Sequence, residues 1–165
     1  MNWLATIIRC LRHHLRNLKK EFMKGSVMNS NKWCKSELQP WKDENTGLWG
    51  FMDQLGEIVT PCQWKMARRF REGLAKVVNA NDRCGFIDKT GKLVLPCQWK
   101  NALWFSEGLA GVKDDNEKWG FIDKTGQVVI PFIWSNVQWF SNGRVRVQEK
   151  IGGGWHDIDR NGNPV

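Results

Sequence analysis

Apolar positions along this chain follow two different rhythms. Between Trp3 and Met23, Leu4, Ile7, Ile8, Leu11, Leu15, Leu18 and Phe22 recur at three- and four-residue spacing. Placed at about 100° per residue they fall on one narrow arc, with Arg9, Arg12, Arg16, Lys19 and Lys20 on the remaining face. This predicts a basic amphipathic α-helix over residues 1–24. Gly25-Ser26 stops it, and the Asn- and Ser-rich stretch that follows predicts a linker over 25–36.

Beyond residue 36 the rhythm changes to short apolar runs broken by turns, and the pattern comes round every 35 residues. Trp49-Gly50-Phe51-Met52-Asp53 returns as Cys84-Gly85-Phe86-Ile87-Asp88 and as Trp119-Gly120-Phe121-Ile122-Asp123, with a partial copy at Trp155-His156-Asp157-Ile158-Asp159. Asp88-Lys89-Thr90-Gly91 and Asp123-Lys124-Thr125-Gly126 separate β-branched or aromatic runs too short for helices. Each is a hairpin, with Pro61, Pro96 and Pro131 expected to end its second strand. Phe105-Ser106-Glu107-Gly108 then supplies a second turn, and Leu109 to Lys113 a third strand.

The expected fold is therefore an all-β repeat array of stacked short antiparallel hairpins, three strands per 35-residue unit, behind the N-terminal amphipathic α-helix. Its domain spans 37–165: a partial unit 37–48, units 49–83, 84–118 and 119–154, and a partial unit 155–165. Such units cannot bury both faces singly and must stack. Gln39-Pro40-Trp41 stands near the phase of Arg144-Val145-Arg146, as the tail of an earlier unit would. The chain stops part-way through a hairpin, which fits either a shortened array or a last strand completed by a partner.

Charge changes this picture little. The formal net charge is +8, but residues 1–35 hold eight basic residues against Glu21 alone, leaving 17 basic and 16 acidic residues from 36 to 165. The basic character belongs to the N-terminal segment, so nucleic acid is not an expected partner of the array. Five cysteines lack any paired C-x-x-C spacing, and Cys62, Cys84 and Cys97 stand at phases taken elsewhere by Phe or Trp. They behave as small buried hydrophobes in a reducing compartment, without a disulfide framework. No 18-residue apolar run is present, and the positive charges follow the first apolar stretch where a signal peptide has them first. A cytoplasmic location is expected, with peripheral membrane association as a second reading. In the first reading the helix caps the array or docks a partner. In the second Leu11, Leu15, Arg12 and Arg16 meet an anionic lipid surface.

Candidate chemistry is sparse. Asp53, Asp88, Asp123 and Asp159 lie in a row of equivalent environments, which suits turns and not a differentiated catalytic pair. Glu72 and Glu107 sit in Glu-Gly turns, where Asn142 replaces them. Three histidines assemble no nucleophilic or metal-binding pattern, so no catalytic residue, metal or cofactor is assigned. The eleven tryptophans are the remaining candidates. Trp49, Trp119 and Trp155 open strands and are expected in the core, stacked copy on copy with their indole N–H groups on carbonyls. Trp104 and Trp139 share a phase with Arg69, which argues for exposure and makes these three the first ligand-binding candidates. Trp64, Trp99 and Trp134, three residues after each proline, are the second set.

Trp119-Gly120-Phe121-Ile122-Asp123-Lys124-Thr125-Gly126, Val128-Val129-Ile130-Pro131, and Phe140-Ser141 with Gly143 resemble the bacterial WG-repeat (KWG) family over residues 38–165. The resemblance implies a β-rich array used for interaction or ligand binding. Departures are Cys84 and His156 in the Trp-Gly pair, Arg144 in place of Leu, and Trp where the family carries Tyr after the proline. The expected function is a non-enzymatic scaffold or binding module for a protein or peptide, docking on open edge strands or exposed Trp. The alternative is a glycan or small-ligand module using Trp rows.

Overall fold

The computed structural model describes residues 38–165. The predicted helix and linker, with Leu11, Leu15, Arg12 and Arg16, lie outside the described residues. Within them the fold is all-β, as the periodicity predicts. Fourteen strands run in chain order: β1 Gln39–Lys42, β2 Trp49–Met52, β3 Ile58–Trp64, β4 Met66–Ala67, β5 Leu74–Val78, β6 Cys84–Asp88 and β7 Leu93–Trp99. β8 Asn101–Ala102, β9 Leu109–Lys113, β10 Trp119–Asp123, β11 Val128–Trp134, β12 Asn136–Val137, β13 Arg144–Gln148 and β14 His156–Asp159 complete them.

These strands form four antiparallel sheets, β1-β2-β3, β4-β5-β6-β7, β8-β9-β10-β11 and β12-β13-β14. Two expectations need correction. Each period carries four strands and not three, because a two-residue strand follows the long one after a bend at Lys65, Lys100 or Ser135. At that bend the chain leaves one sheet and enters the next, so β7 and β8 are consecutive but belong to different sheets. Every four-stranded sheet therefore combines the second half of one sequence unit with the first half of the next. β1 pairs with β2 as β5 pairs with β6, the place the phase of Gln39-Pro40-Trp41 indicates.

The second correction concerns the prolines. Pro61, Pro96 and Pro131 lie inside β3, β7 and β11 and do not end them. All three strands are sheet edges, and the register shifts beside each proline: Cys84 faces Trp99 while Phe86 already faces Leu95. An edge strand with a bulge tolerates a residue lacking N–H. The bulge also explains the recurring glycine. A Cβ on Gly85 would lie 2.8 Å from the Leu95 carbonyl oxygen and 2.9 Å from the Cys97 nitrogen; on Gly50 it would lie 2.6 Å from the Thr60 carbonyl oxygen. Proline bulge and Trp-Gly strand are thus one device, in which backbone crosses closely over a residue that must lack a side chain.

Inner sheets are covered on both faces. Ala75, Val77 and Ile87 of the second sheet pack toward Phe51, while Leu74, Val78, Phe86 and Leu95 on its other face pack toward Ala110, Val112 and Ile122. The third sheet meets Val145, Val147 and Ile158 in the same way. An edge-to-face phenylalanine pair recurs at each level: Phe51–Phe70 at 5.1 Å, Phe86–Phe105 at 4.9 Å and Phe121–Phe140 at 5.1 Å between ring centroids. The last sheet breaks the sequence. Arg144 stands at the phase of Leu74 and Leu109, and Asp157 at that of Phe86 and Phe121, with Arg146 Nε 3.6 Å from Asp157 Oδ1. A further hairpin would meet charge on this face.

Candidate functional site

The tempting carboxylates are turn-formers. Asp88 Oδ1 accepts hydrogen bonds from the backbone N–H of Thr90 at 2.9 Å and Lys92 at 3.1 Å, and Asp53, Asp123 and Asp159 repeat this arrangement two and four residues on. Thr90 and Thr125 donate their hydroxyls to Asp88 and Asp123, holding those carboxyls below the usual aspartate range. Asp159 is lowered by the Asn163 backbone N–H. Hydrogen bonds to the charged form favour it. These oxygens are occupied by their own loops.

Glu72 and Glu107 do more than turn the chain. They, and Asn142, hold φ of 50°, 53° and 54°, each followed by a positive-φ glycine, so each loop is a two-residue hairpin turn of the mirror-image type. Glu72 Oε2 accepts from the Gly108 N–H at 2.9 Å, and Glu107 Oε2 accepts from the Gly143 N–H at 2.9 Å. Each glutamate thus ties its turn to the equivalent turn of the next unit. Burial alone would raise the Glu72 carboxyl, but the Gly108 amide and the Lys124 ammonium more than offset it and lower its pKa. Sequence reading saw the turn and missed the tie. The recurrence of Glu at a strained φ, where Gly or Asn is easier, was the available signal.

The tryptophans divide by burial. Trp99 and Trp134 are 6% and 5% exposed and belong to two hydrophobic cores, with Trp64 packed half-buried against a third. As ligand-binding candidates Trp99 and Trp134 are corrected to core residues, since their faces are covered by the stack. They sit directly across from Cys84 and Trp119, as Trp64 sits across from Trp49. Trp119 is buried and Trp49 half-buried, whereas Trp155 is exposed, so only part of the strand-initial set matches its expected core role. Among the described residues the buried indole nitrogens of Trp64 and Trp134 find no hydrogen-bond partner.

Trp104 and Trp139 are different. They are 41% and 49% exposed, and their ring centroids lie 4.9 Å apart at 37°. They form a tilted stack on the outside of the array, joining two consecutive units at the surface. Arg69, at the same phase one unit earlier, is exposed and lines a cleft of about 590 Å³ with Trp104. Residues from three consecutive sheets converge there, with Trp49 and Trp104 as aromatic walls and Arg68, Arg69, Arg71 and Lys76 as cations. A second cleft of about 530 Å³ lies beside Trp139, lined by Arg144, Arg146 and Asp157 among others. Arg69, Trp104 and Trp139 are legible in the sequence, whereas Arg68, Arg71 and Lys76, on the loop after β4 and on β5, join them only in the fold.

Lys76 donates from Nζ to Asn101 Oδ1 at 2.9 Å and to the Ala102 carbonyl at 2.6 Å. Burial lowers its pKa, and Arg68 contributes in the same direction. Elsewhere several cations meet carboxylates. Lys65 pairs with Asp82 at 2.5 Å, Lys100 with Glu117 at 2.6 Å one period later, and Arg83 with Asp115 at 2.5 Å. Hydrogen bonds from Lys100 and Lys113 hold the Glu117 carboxyl down to about 2. Near-neutral totals therefore conceal a local concentration of charge, since among the described residues four cations without an ion pair line one cleft.

A family model described as WG containing repeat matches residues 49–82, 85–118 and 119–155. No curated protein matches the chain.

Proposed function

The chain belongs to the WG-repeat family, and from that premise we propose that it is a non-enzymatic scaffold that binds a protein or peptide through its Trp104–Trp139 face. The observation that carries this reading is the exposed stack itself. Two large aromatic rings at one phase of consecutive units remain outside a fold whose other repeated aromatics mostly pack inward. Aromatic and Arg side chains flanking a cleft are what binding hot spots are made of. The edge strands offer less: β7 is bulged at Pro96, and β4, β8 and β12 have only two residues each. Short, bulged edges resist strand addition.

The test is selection of a displayed peptide library on the full chain, followed by titration of the selected peptides against Trp104→Ala/Trp139→Ala. Loss of at least about tenfold in affinity supports the Trp face. Selected peptides that bind the double variant equally well would refute it.

A second reading follows from the cleft beside Trp139, where Gln138, Ser141 and Asn142 bring hydrogen-bonding groups next to an exposed indole. That combination suits a sugar ring, and the cleft volume falls within the range of small-ligand sites. Quenching of tryptophan fluorescence by members of a glycan panel, lost on Trp139→Ala, would support it. Indifference to the panel would remove it.

A further inference from the structure

The cleft beneath Trp104 has a charge that its surroundings do not explain. Arg68, Arg69, Arg71 and Lys76 line it, and among the described residues no carboxylate does. Among the described residues none of the four makes an ion pair, although the array elsewhere matches Lys65, Arg83, Lys100, Lys113 and Lys124 to acids. Lys76 spends its hydrogen bonds on an amide and a carbonyl, neither of which neutralises it. Four like charges around one concavity repel one another, and a cleft lined by a single sign of charge concentrates the opposite sign.

We infer that this cleft receives an acidic segment of the peptide partner, whose carboxylates pair with Arg68, Arg69, Arg71 and Lys76 while its neighbouring residues pack on Trp104. The inference rests on the Trp-face reading above and adds the chemical class of its ligand. Guanidinium groups recognise carboxylates in a planar, two-point geometry, and three of the four cations are arginines. The charge is also local. Past Trp139 the row turns mixed, with Arg146 Nε 3.6 Å from Asp157 Oδ1. A single-stranded nucleic acid would need basic residues along its whole track and aromatic faces free to take bases. Here Trp104 and Trp139 stack on each other, so no base can enter between them. A peptide with acidic residues at one end and neutral residues beyond fits the graded surface better.

The experiment measures fluorescence anisotropy of three labelled probes on the full chain: a peptide of alternating Glu and Thr, its Gln counterpart, and an oligothymidylate. The proteins are wild type, Arg69→Glu/Arg71→Glu, and Lys92→Glu, which reverses an exposed charge outside the cleft. The Arg69 and Arg71 side chains make no hydrogen bond among the described residues, so their reversal leaves the fold intact, as a thermal melt will verify. The Glu peptide is expected to bind wild type at least about tenfold tighter than the Gln peptide, with affinity falling as salt rises. It should lose at least about tenfold on Arg69→Glu/Arg71→Glu and keep its affinity on Lys92→Glu. Equal binding of the Glu and Gln peptides overturns the inference. So does unchanged affinity on Arg69→Glu/Arg71→Glu, which would locate binding on the basic N-terminal segment. Tighter binding of the oligothymidylate, lost on the same variant, overturns it in favour of nucleic acid. If library-selected peptides depend on Trp104 and Trp139 but not on acidic residues, the Trp-face reading stands and the acidic preference alone falls.

Discussion

Trp104 and Phe105 are neighbours in the chain and live in different worlds. Phe105 is 2% exposed and meets Phe86 edge-to-face, while Trp104 is 41% exposed and leans on Trp139. One unit on, Phe140 and Trp139 repeat the contrast. The inner position is Phe in all three copies, at 70, 105 and 140, and the outer position is Arg, Trp and Trp. An inner ring must fill a gap whose shape the stacked sheets dictate, so its identity is set by packing. The outer ring fills no gap. It is free to become Arg69, and its exposure as a stacked pair is what supports the proposed role in recognition.

Breaking the inner member should cost most. Phe121→Ala removes a fully buried ring from the pair with Phe140, and we expect about 3–5 kcal/mol of destabilisation in a denaturant titration. Breaking the outer member should separate stability from binding. Trp104→Ala, which removes a ring only partly buried, should cost less than Phe121→Ala in the same titration while abolishing most affinity for library-selected peptides. If Trp104→Ala instead unfolds the array, the outer row is structural and the contrast fails.

Smaller effects sharpen the account of the scaffold. Glu107→Asn keeps a residue that tolerates positive φ, as Asn142 does, but cannot reach the Gly143 N–H as Glu107 Oε2 does. A loss of about 1 kcal/mol in the same titration measures the tie between turns, and no change would show that the turn alone matters. The smallest effect is expected from Asp123→Asn, because Asn79 already caps an equivalent turn by accepting from Asn81 and Arg83 N–H groups. Asp123 has a lowered pKa in the folded chain, so its contribution is complete above the unfolded value and vanishes as pH falls through the lower folded one. The variant should therefore lose less thermal stability than wild type between about pH 5 and pH 2.

Much of the scaffold is legible in the sequence, and the reasons can be read from particular residues. Asp88-Lys89-Thr90-Gly91 specifies its turn locally, because one carboxylate oxygen and one glycine φ are sufficient to close it. The same holds for the period and the strand pairs that flank each turn. Sheet membership is not local. Lys100 looks like any strand-end lysine, yet the chain changes sheets there, and this resets which side chains point inward. That is why Trp99 and Trp104, five residues apart, could not be sorted by alternation alone: one lies before the corner and one after it. Pro96 misled for a related reason. Its missing N–H reads as the end of a strand, but an edge strand with a bulge accommodates it, and Gly85 reveals the crossing only when the two are seen together.

Site legibility follows the same division. Arg69, Trp104 and Trp139 were found because substitution of Arg for Trp at one phase signals solvent. Arg68, Arg71 and Lys76 were invisible because their convergence depends on three sheets meeting. Overall charge hid them further, since the acids that balance the total lie away from the cleft, in pairs such as Lys65–Asp82 and in turns such as that of Asp88.

We propose that the outer row binds and that the inner ladder only supports it. The most direct measurement is the affinity of a library-selected peptide for Trp104→Ala/Trp139→Ala, taken beside that variant's thermal melt. We predict a loss of at least about tenfold in affinity with a cooperative melt retained. Unchanged affinity in a folded double variant would contradict the claim and place recognition elsewhere on the molecule.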